Sequence, residues 1–271
     1  MRTGLLLVVC LALPKLVHAH AGLNADLARL TSQIDLAPTA PLLLRRASTL
    51  RALTRFDDAL LDVERARSVG AAMADWRLER GLIHAARGNR PSALEDLDAY
   101  LAAGWASPVA LDARATVLED SGRLDEASLD LRRAVEQSPD PDRYLRLAQL
   151  EQRRGRVEDA ARVLERGISR LSGAIVLRHA LISLERSRRG YDAALVQARA
   201  AMAGLPVKAE WRLIAAEILA EANRPAEQKA ELVLAMTELD ALLERRSSPL
   251  HQQLKDRARL ALKSTASRKR P

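Results

Sequence analysis

Residues 81–93 read GLIHAARGNRPSA, a stretch in which one small residue, Gly81, is followed twelve residues later by another, Ala93. The same spacing recurs six times along the chain, in steps of 34, 34, 33, 34 and 34 residues, and each of the two series has one position that is not small, Ile182 and Gln228. The first position of each copy is Ala47, Gly81, Ala115, Ala148, Ile182 or Ala216, and the second is Ala59, Ala93, Ala127, Ala160, Ala194 or Gln228. A period of about 34 residues carried by small residues at two helix crossings is typical of a helix–turn–helix solenoid.

The pattern predicts six helical hairpins, each with a helix A that carries the first small residue and a helix B that carries the second. A glycine or asparagine in the turn supplies the left-handed conformation that ends a helix, and an acidic residue or serine suits the start of the next. The turn positions are Gly88, Gly122, Gly155, Gly190 and Asn223. The predicted hairpins cover residues 40–71, 74–105, 108–139, 141–172, 175–206 and 209–240.

Further repeat positions strengthen the pattern. A large apolar residue mostly lies four residues after the second small residue: Val63, Leu97, Leu131, Leu164, Ala198 and Leu232. A small residue mostly follows three residues later: Ala66, Tyr100, Ala134, Gly167, Ala201 and Ala235. Together these residues resemble the tetratricopeptide repeat over about 200 of the 271 residues. The resemblance implies an all-α, right-handed superhelical solenoid with terminal capping helices.

One position departs from the repeat. Three residues after the first small residue, where an aromatic side chain is frequent in the family, the chain has Leu50, His84, Leu118, Glu151, Glu185 and Leu219. We therefore expect the fourth and fifth hairpins to pack less typically than the others.

Composition and charge narrow the choice of partners. Aromatic residues supply only 3% of a chain that is 48% hydrophobic, so the core must be built from Leu, Val and Ala. The net charge of +8 lies at the ends: two bases fall in residues 1–19 and six in residues 257–271, and neither segment has an acid. Residues 20–256 balance 35 bases with 35 acids. A neutral body with few aromatic rings for base stacking argues against a nucleic-acid partner.

The N-terminus predicts export. Arg2 precedes the apolar run 5–13, and small residues allow cleavage after Ala19 or Ala21. The run is far shorter than the roughly 20 residues of a membrane span. We expect residues 1–19 to be a cleavable signal peptide and the mature protein, without a transmembrane segment, to be a periplasmic or secreted bacterial protein.

The other segments outside the hairpins have simpler predictions. Residues 20–39 form an amphipathic helix with Asn24 as N-cap. The hairpins extend to residue 246 through a long last helix, residues 247–263 form a C-terminal capping helix, and residues 264–271 form a disordered basic tail. The tail is interpreted as solubilising, or as weakly attracted to anionic lipid or cell-wall polymer. The apolar face of the first helix is formed by Leu23, Leu27, Leu30 and Ile34.

Catalytic signals are absent from the sequence, which contains no phosphate-binding glycine loop, no HExxH and no GxSxG. The only cysteine, Cys10, lies in the signal segment. His84 is interpreted as a structural histidine on the core side of helix A. Adjacent acids such as Asp57 and Asp58 do not share a helix face and are interpreted as surface. We predict no catalytic, cofactor-binding or metal-binding residue.

The resemblance implies a groove lined by helix A. A groove that clamps a partner's C-terminal carboxylate would have Lys and Asn where the first hairpin has Leu44 and Ser48, so that mode is disfavoured. Residues 93–137 carry ten acids against four bases, and residues 143–189 carry twelve arginines against five acids. This asymmetry favours either solvated helix faces or a polarised docking surface. The candidate groove residues are Leu78, Leu82, Asp112, Glu119, Gln149, Gln152, Arg153, His179, Arg186 and Glu217.

The expected function is that of an exported, non-enzymatic scaffold that binds a protein or peptide partner in its concave groove. The first alternative is an accessory subunit of an envelope enzyme or secretion complex that docks through its convex face or its ends. The second is a metal-dependent enzyme that uses His20 as an N-terminal copper ligand after cleavage.

Overall fold

A computed structural model describes residues 5–105, 107–245 and 248–267, and the side chains from residue 21 to residue 265 of these ranges. Over this part of the chain the structure has fourteen α-helices and no strand. The helices are α1 (Leu5–Leu36), α2 (Ala40–Ala52), α3 (Phe56–Ser68), α4 (Met73–Arg87), α5 (Arg90–Ala102), α6 (Pro108–Asp120), α7 (Leu124–Gln137), α8 (Pro141–Arg153), α9 (Val157–Arg170), α10 (Ile175–Ser187), α11 (Tyr191–Met202), α12 (Ala209–Glu221), α13 (Pro225–Arg245) and α14 (Pro249–Ser267).

The helices divide into two compact units, Met1–Ser138 and Pro139–Pro271, called unit 1 and unit 2 below. In unit 1, α1 packs on the first of three hairpins, α2/α3, α4/α5 and α6/α7. Unit 2 contains the hairpins α8/α9, α10/α11 and α12/α13, and α14 packs on the last of them. The predicted all-α fold of helix–turn–helix repeats is confirmed. The hairpins start at residues 40, 73, 108, 141, 175 and 209, against predicted starts of 40, 74, 108, 141, 175 and 209.

Both series of small residues lie in the core. All twelve positions are buried, including Ile182 (3% exposed) and Gln228 (7% exposed), where the pattern lapses. Gly81 shows why size matters, since a Cβ at this position would lie 3.0 Å from Cγ of Leu97. The recurring small residues therefore allow the two helices of a hairpin to approach closely.

The turns within the hairpins repeat one geometry. A residue of positive φ ends each helix A, and the N–H of the next residue donates to the carbonyl five residues back, as in a Schellman motif. The prediction that Gly190 supplies the left-handed conformation is wrong, because Gly190 has φ −77° and Arg189 has φ 61°. A Cβ at Gly190 would instead lie against the side-chain carboxylate of Glu185 and 3.3 Å from its backbone carbonyl oxygen. In the six turns within the hairpins, the residues of positive φ are, in chain order, Thr54, Gly88, Gly122, Gly155, Arg189 and Asn223.

The first helix is longer than predicted. It begins at Leu5, so Asn24 lies inside α1 and is not its N-cap. The predicted apolar face is present, with Leu30 and Ile34 buried against the first hairpin. Residues 1–4 lie outside the described part of the chain. No helix in the described ranges has both the length and the apolar character needed to cross a membrane.

The last helix also extends past its predicted end at Lys263. Residues 264–267, assigned to a disordered tail, form the last turn of α14. Two hydroxyl groups stabilise this turn by donating to carbonyls one turn back, Ser264 to Ala261 and Thr265 to Leu262. Residues 268–271 of the predicted tail lie outside the described residues.

Candidate functional site

The helix A face of unit 1 carries an open cavity of about 460 Å³ between α2 and α4. The predicted groove residue Leu78 lines it, together with Leu44 from the preceding hairpin. Asp75 and Glu79 add two carboxylates one helical turn apart. The remaining lining residues are Ala40, Pro41, Gly70, Ala71 and Ala72.

A second open cavity, of about 300 Å³, lies between α8 and α10 in unit 2. The predicted groove residues Gln149 and Gln152 are exposed and line it, and Ser183 faces them from α10. Its lining contains no charged side chain. In each unit, therefore, the structure places predicted groove residues around a cavity between successive A helices.

Two other candidates form ion pairs between helices of unit 2. Arg186 of α10 donates to Glu221 of α12, with Nε 3.0 Å from Oε2. Hydrogen bonding to Arg186 lowers the pKa of the Glu221 carboxyl. Glu217 of α12 accepts a hydrogen bond from Arg257 of α14. These charges are partly neutralised by their neighbours and are less available to a partner than the sequence implied.

The remaining candidates are spread along the A helices. Leu82 is half-buried on α4, and Asp112 and Glu119 are half-buried on α6. Arg153 is exposed at the end of α8. His179 is exposed on α10 and stacks on Trp211 of α12, with ring centroids 4.6 Å apart.

Burial changes the pKa of two groups on helix A of the second hairpin, Glu79 and His84. Desolvation raises the pKa of Glu79, although Arg51 lies 2.9 Å away and acts in the opposite direction. Burial likewise lowers the pKa of His84. His84 is half-buried on α4, as expected for a structural histidine.

Unit 1 contains a repeated ion pair that was not predicted from the sequence. Arg46 binds the buried Asp62 through two hydrogen bonds, Nε to Oδ2 and Nη2 to Oδ1, each 2.6 Å long. The same bidentate pair, called the Arg–Asp clasp below, recurs in the next two hairpins at 2.7–2.8 Å. The signal was present, because both residue types recur with the 34-residue period. The other two clasps are Arg80–Asp96 and Arg114–Asp130.

Buried acids also mark the two hairpins predicted to pack atypically. Glu151 is completely buried and lies 2.7 Å from Nη1 of Arg154. Glu185 is 4% exposed and lies 3.0 Å from Nε of Arg188. Each occupies the position where the family often has an aromatic residue, so an ion pair within the hairpin takes that place.

Among the described residues, no cluster of three or more His, Cys, Asp or Glu side chains could hold a metal ion. The side chain of His20 lies outside the described part of the structure.

Known proteins share this arrangement of helices. The structure of pilF from Pseudomonas aeruginosa is similar to this one, with a TM-score of 0.51 and 14% sequence identity, over 79% of this chain and 95% of that one. A tetratricopeptide repeat protein from Parabacteroides merdae has a TM-score of 0.48 and 16% identity, with coverages of 89% and 93%. YrrB, described as a TPR protein with an unusual peptide-binding site, has a TM-score of 0.43 and 15% identity, with coverages of 82% and 94%.

At the sequence level the chain matches a family model and no individual curated protein. No curated protein sequence matches this chain significantly. Residues 44–108 and 113–174 match the family model described as tetratricopeptide repeat. By this match and by its fold, the chain resembles the tetratricopeptide repeat superfamily.

Proposed function

We propose that the protein is an exported, non-enzymatic scaffold that binds a protein or peptide partner on the helix A face of its repeats. The observation that carries this proposal is the pair of open cavities between A helices, α2/α4 in unit 1 and α8/α10 in unit 2. Both combine apolar side chains with exposed polar groups, the mixture that a protein-binding surface needs. Solenoid repeats present such faces along their length.

Site-specific photo-crosslinking in cells tests this proposal. A photoreactive amino acid replaces Ala72 at the start of α4 or Gln152 on α8, which are exposed and line the two cavities, and the matched controls replace Glu95 or Glu165, which are exposed on helix B. We expect a discrete crosslinked partner from the helix A positions and none from the controls. Equal yields from both faces, or crosslinks from helix B alone, would overturn the proposal.

Export is a separate part of the proposal, supported by Arg2, the apolar run and the small residues at positions 19 and 21. A fusion of residues 1–22 to a reporter that is active only outside the cytoplasm should give signal. Mass spectrometry of the purified protein should find an N-terminus at residue 20 or 22. Export predicts both an active reporter and a processed N-terminus. A protein that stays in the cytoplasm with an unprocessed N-terminus would contradict export.

The alternative of docking through the convex face has one observation in its favour. Leu61, Leu129 and Val196 lie two residues after the second small residue of their repeats and are 58–65% exposed. The equivalent residues of the intervening repeats are the exposed Glu95 and Arg162, so the apolar side chains do not occupy successive repeats. Two results obtained together would replace groove binding with this alternative. The double variant Leu61→Ser/Leu129→Ser would no longer capture the partner, and the photoreactive residues on helix A would give no crosslinked product.

A further inference from the structure

The α2/α4 cavity of unit 1 differs chemically from the α8/α10 cavity of unit 2. Its walls are mostly apolar, formed by Leu44, Leu78 and the loop 70–72. The residues on either side of that loop, Val69 and Met73, are 48% and 54% exposed. An aliphatic side chain that entered the cavity would therefore exchange water for apolar contact, which is favourable in proportion to the area covered.

Two carboxylates line the same cavity, and one of them, Asp75, carries the negative charge that a partner can reach. Asp75 is exposed in the first turn of α4, and it makes no ion pair within the described part of the chain. Glu79 lies deeper, with a side chain that is 13% exposed and bound on one side by Arg51. The lining includes no base, since Arg51 is not among its residues. Carboxylates at a partly desolvated surface attract a cation more strongly than carboxylates in open water.

We propose that this cavity binds a partner segment in which an aliphatic side chain is adjacent to a lysine or arginine. The aliphatic group occupies the space between Leu44 and Leu78, and the cation lies against Asp75. The proposal rests on the proposed groove-binding function and adds the chemistry of the partner. It also reverses the charge preference of a carboxylate clamp, because Leu44 stands where such a clamp would have a lysine.

The two units provide an internal comparison. The unit 2 cavity is lined by the amides of Gln149 and Gln152 and by serine hydroxyls, which carry no net charge. A peptide that binds there gains no preference for a lysine or arginine. Selectivity for basic residues therefore distinguishes the α2/α4 cavity of unit 1 from the α8/α10 cavity of unit 2.

Fluorescence anisotropy with the purified protein tests the proposal. The probe is a fluorescein-labelled Gly/Ser peptide carrying two Leu-Lys pairs and a photoreactive leucine, compared with versions in which Lys becomes Glu or Leu becomes Ser. We expect each change to weaken binding about tenfold, through lost attraction in the first case and lost apolar burial in the second. The photoreactive leucine should label the segment 70–79.

Variants of the protein separate the charge from the fold. Asp75→Lys alters an exposed side chain and should weaken the Leu-Lys probe about tenfold, while Glu95→Lys on α5 makes the same charge change outside the cavity and should leave affinity unchanged. Leu78→Ser should weaken binding similarly, and circular dichroism checks its folding. If Leu78→Ser unfolds the protein, Asp75→Lys still decides the result.

Three results would overturn the inference. They are equal affinity for the Lys and Glu peptides, equal effects of Asp75→Lys and Glu95→Lys, and labelling confined to unit 2. In each of them the crosslinking experiment with Ala72 and Gln152 still reports on groove binding. A failure of this inference is thereby distinguished from a failure of the proposed function.

Discussion

Unit 1 and unit 2 hold their hairpins together differently at the same repeat position. In unit 1 the residue before the first small residue is always arginine, and it forms the Arg–Asp clasp with an aspartate of helix B. Unit 2 has no clasp at these positions. Its equivalent pairs are Leu147 and Val163, Leu181 and Gln197, and Ala215 and Glu231.

Polar contacts in unit 2 start one helical turn earlier on helix A. Arg178 donates to Gln197 over 2.9 Å, and Arg212 donates to Glu231 over 3.0 Å. The same fold therefore tolerates a buried ion pair or apolar packing at one position. This is expected physically, since a buried pair and a well-packed apolar pair of similar volume are often close in free energy.

The largest expected effect comes from breaking one clasp. Asp62→Ala should lower the free energy of unfolding by about 3 kcal/mol, because it leaves the mostly buried guanidinium of Arg46 without its bidentate partner. Urea denaturation measures the loss. Asp58→Ala, on the exposed face of α3, is the matched control and should change stability by less than about 1 kcal/mol.

Replacing one Arg–Asp clasp of unit 1 with the apolar residue pair of unit 2 tests the same comparison directly. Arg46→Leu combined with Asp62→Val recreates the Leu147–Val163 pair of unit 2 and should restore stability to within about 1 kcal/mol of the parent protein. A double variant as unstable as Asp62→Ala would show that the clasp contributes more than apolar packing can replace.

Adding a methyl group where two helices pack closely should destabilise the protein more in unit 2 than in unit 1. A Cβ on Gly167 would lie 2.6 Å from Cδ1 of Leu177 and 2.8 Å from Cγ of Tyr144, so Gly167→Ala should destabilise by about 2 kcal/mol. The contacts of Gly81 in unit 1 begin at 3.0 Å, and the helix preference of alanine offsets part of the strain. Gly81→Ala should therefore have a smaller effect on the thermal midpoint, and the reverse order would contradict the packing argument.

The smallest expected effects are changes in how the free energy of unfolding depends on pH. Glu79 has a raised pKa in the folded protein, so its contribution to stability increases as pH falls from neutral toward its ordinary value of 4.5. Glu221 has a lowered pKa, so its contribution is present above 4.5 and is lost as pH falls further. Glu79→Gln and Glu221→Gln should change the pH dependence of urea unfolding in opposite directions, each by no more than about 1 kcal/mol. Changes of the same sign would contradict the assignment.

Much of the fold could be predicted because its signal is local and repeated. The residues at Ala47, Ala115 and Ala148 must be small wherever the two helices of a hairpin cross, so the sequence shows the phase of every repeat. Gly190 shows the limit of this reasoning. A turn glycine predicts a positive φ, yet the carboxylate of Glu185 occupies the space beside Gly190, and Arg189 takes the left-handed conformation instead.

The candidate site was predictable only in outline. The order of residues on helix A placed Leu78 and Gln152 on one face of their helices. It did not show that Leu44, 34 residues before Leu78, completes a cavity with it. Nor did it show that Arg186 and Glu217 are engaged by other helices of unit 2.

The sequence by itself determined the hairpins, since small residues recur at ten of the twelve crossing positions and the packing constraint is the same in each copy. Tertiary structure decided which charges are buried in pairs and which acids remain open to a partner. Arg46 and Asp62 are separated by 16 residues, and only the packing of α2 on α3 joins them. A carboxylate such as Asp75 stays exposed or becomes paired according to the side chains that the neighbouring helix places beside it. The order of residues along the chain does not show which side chains those are.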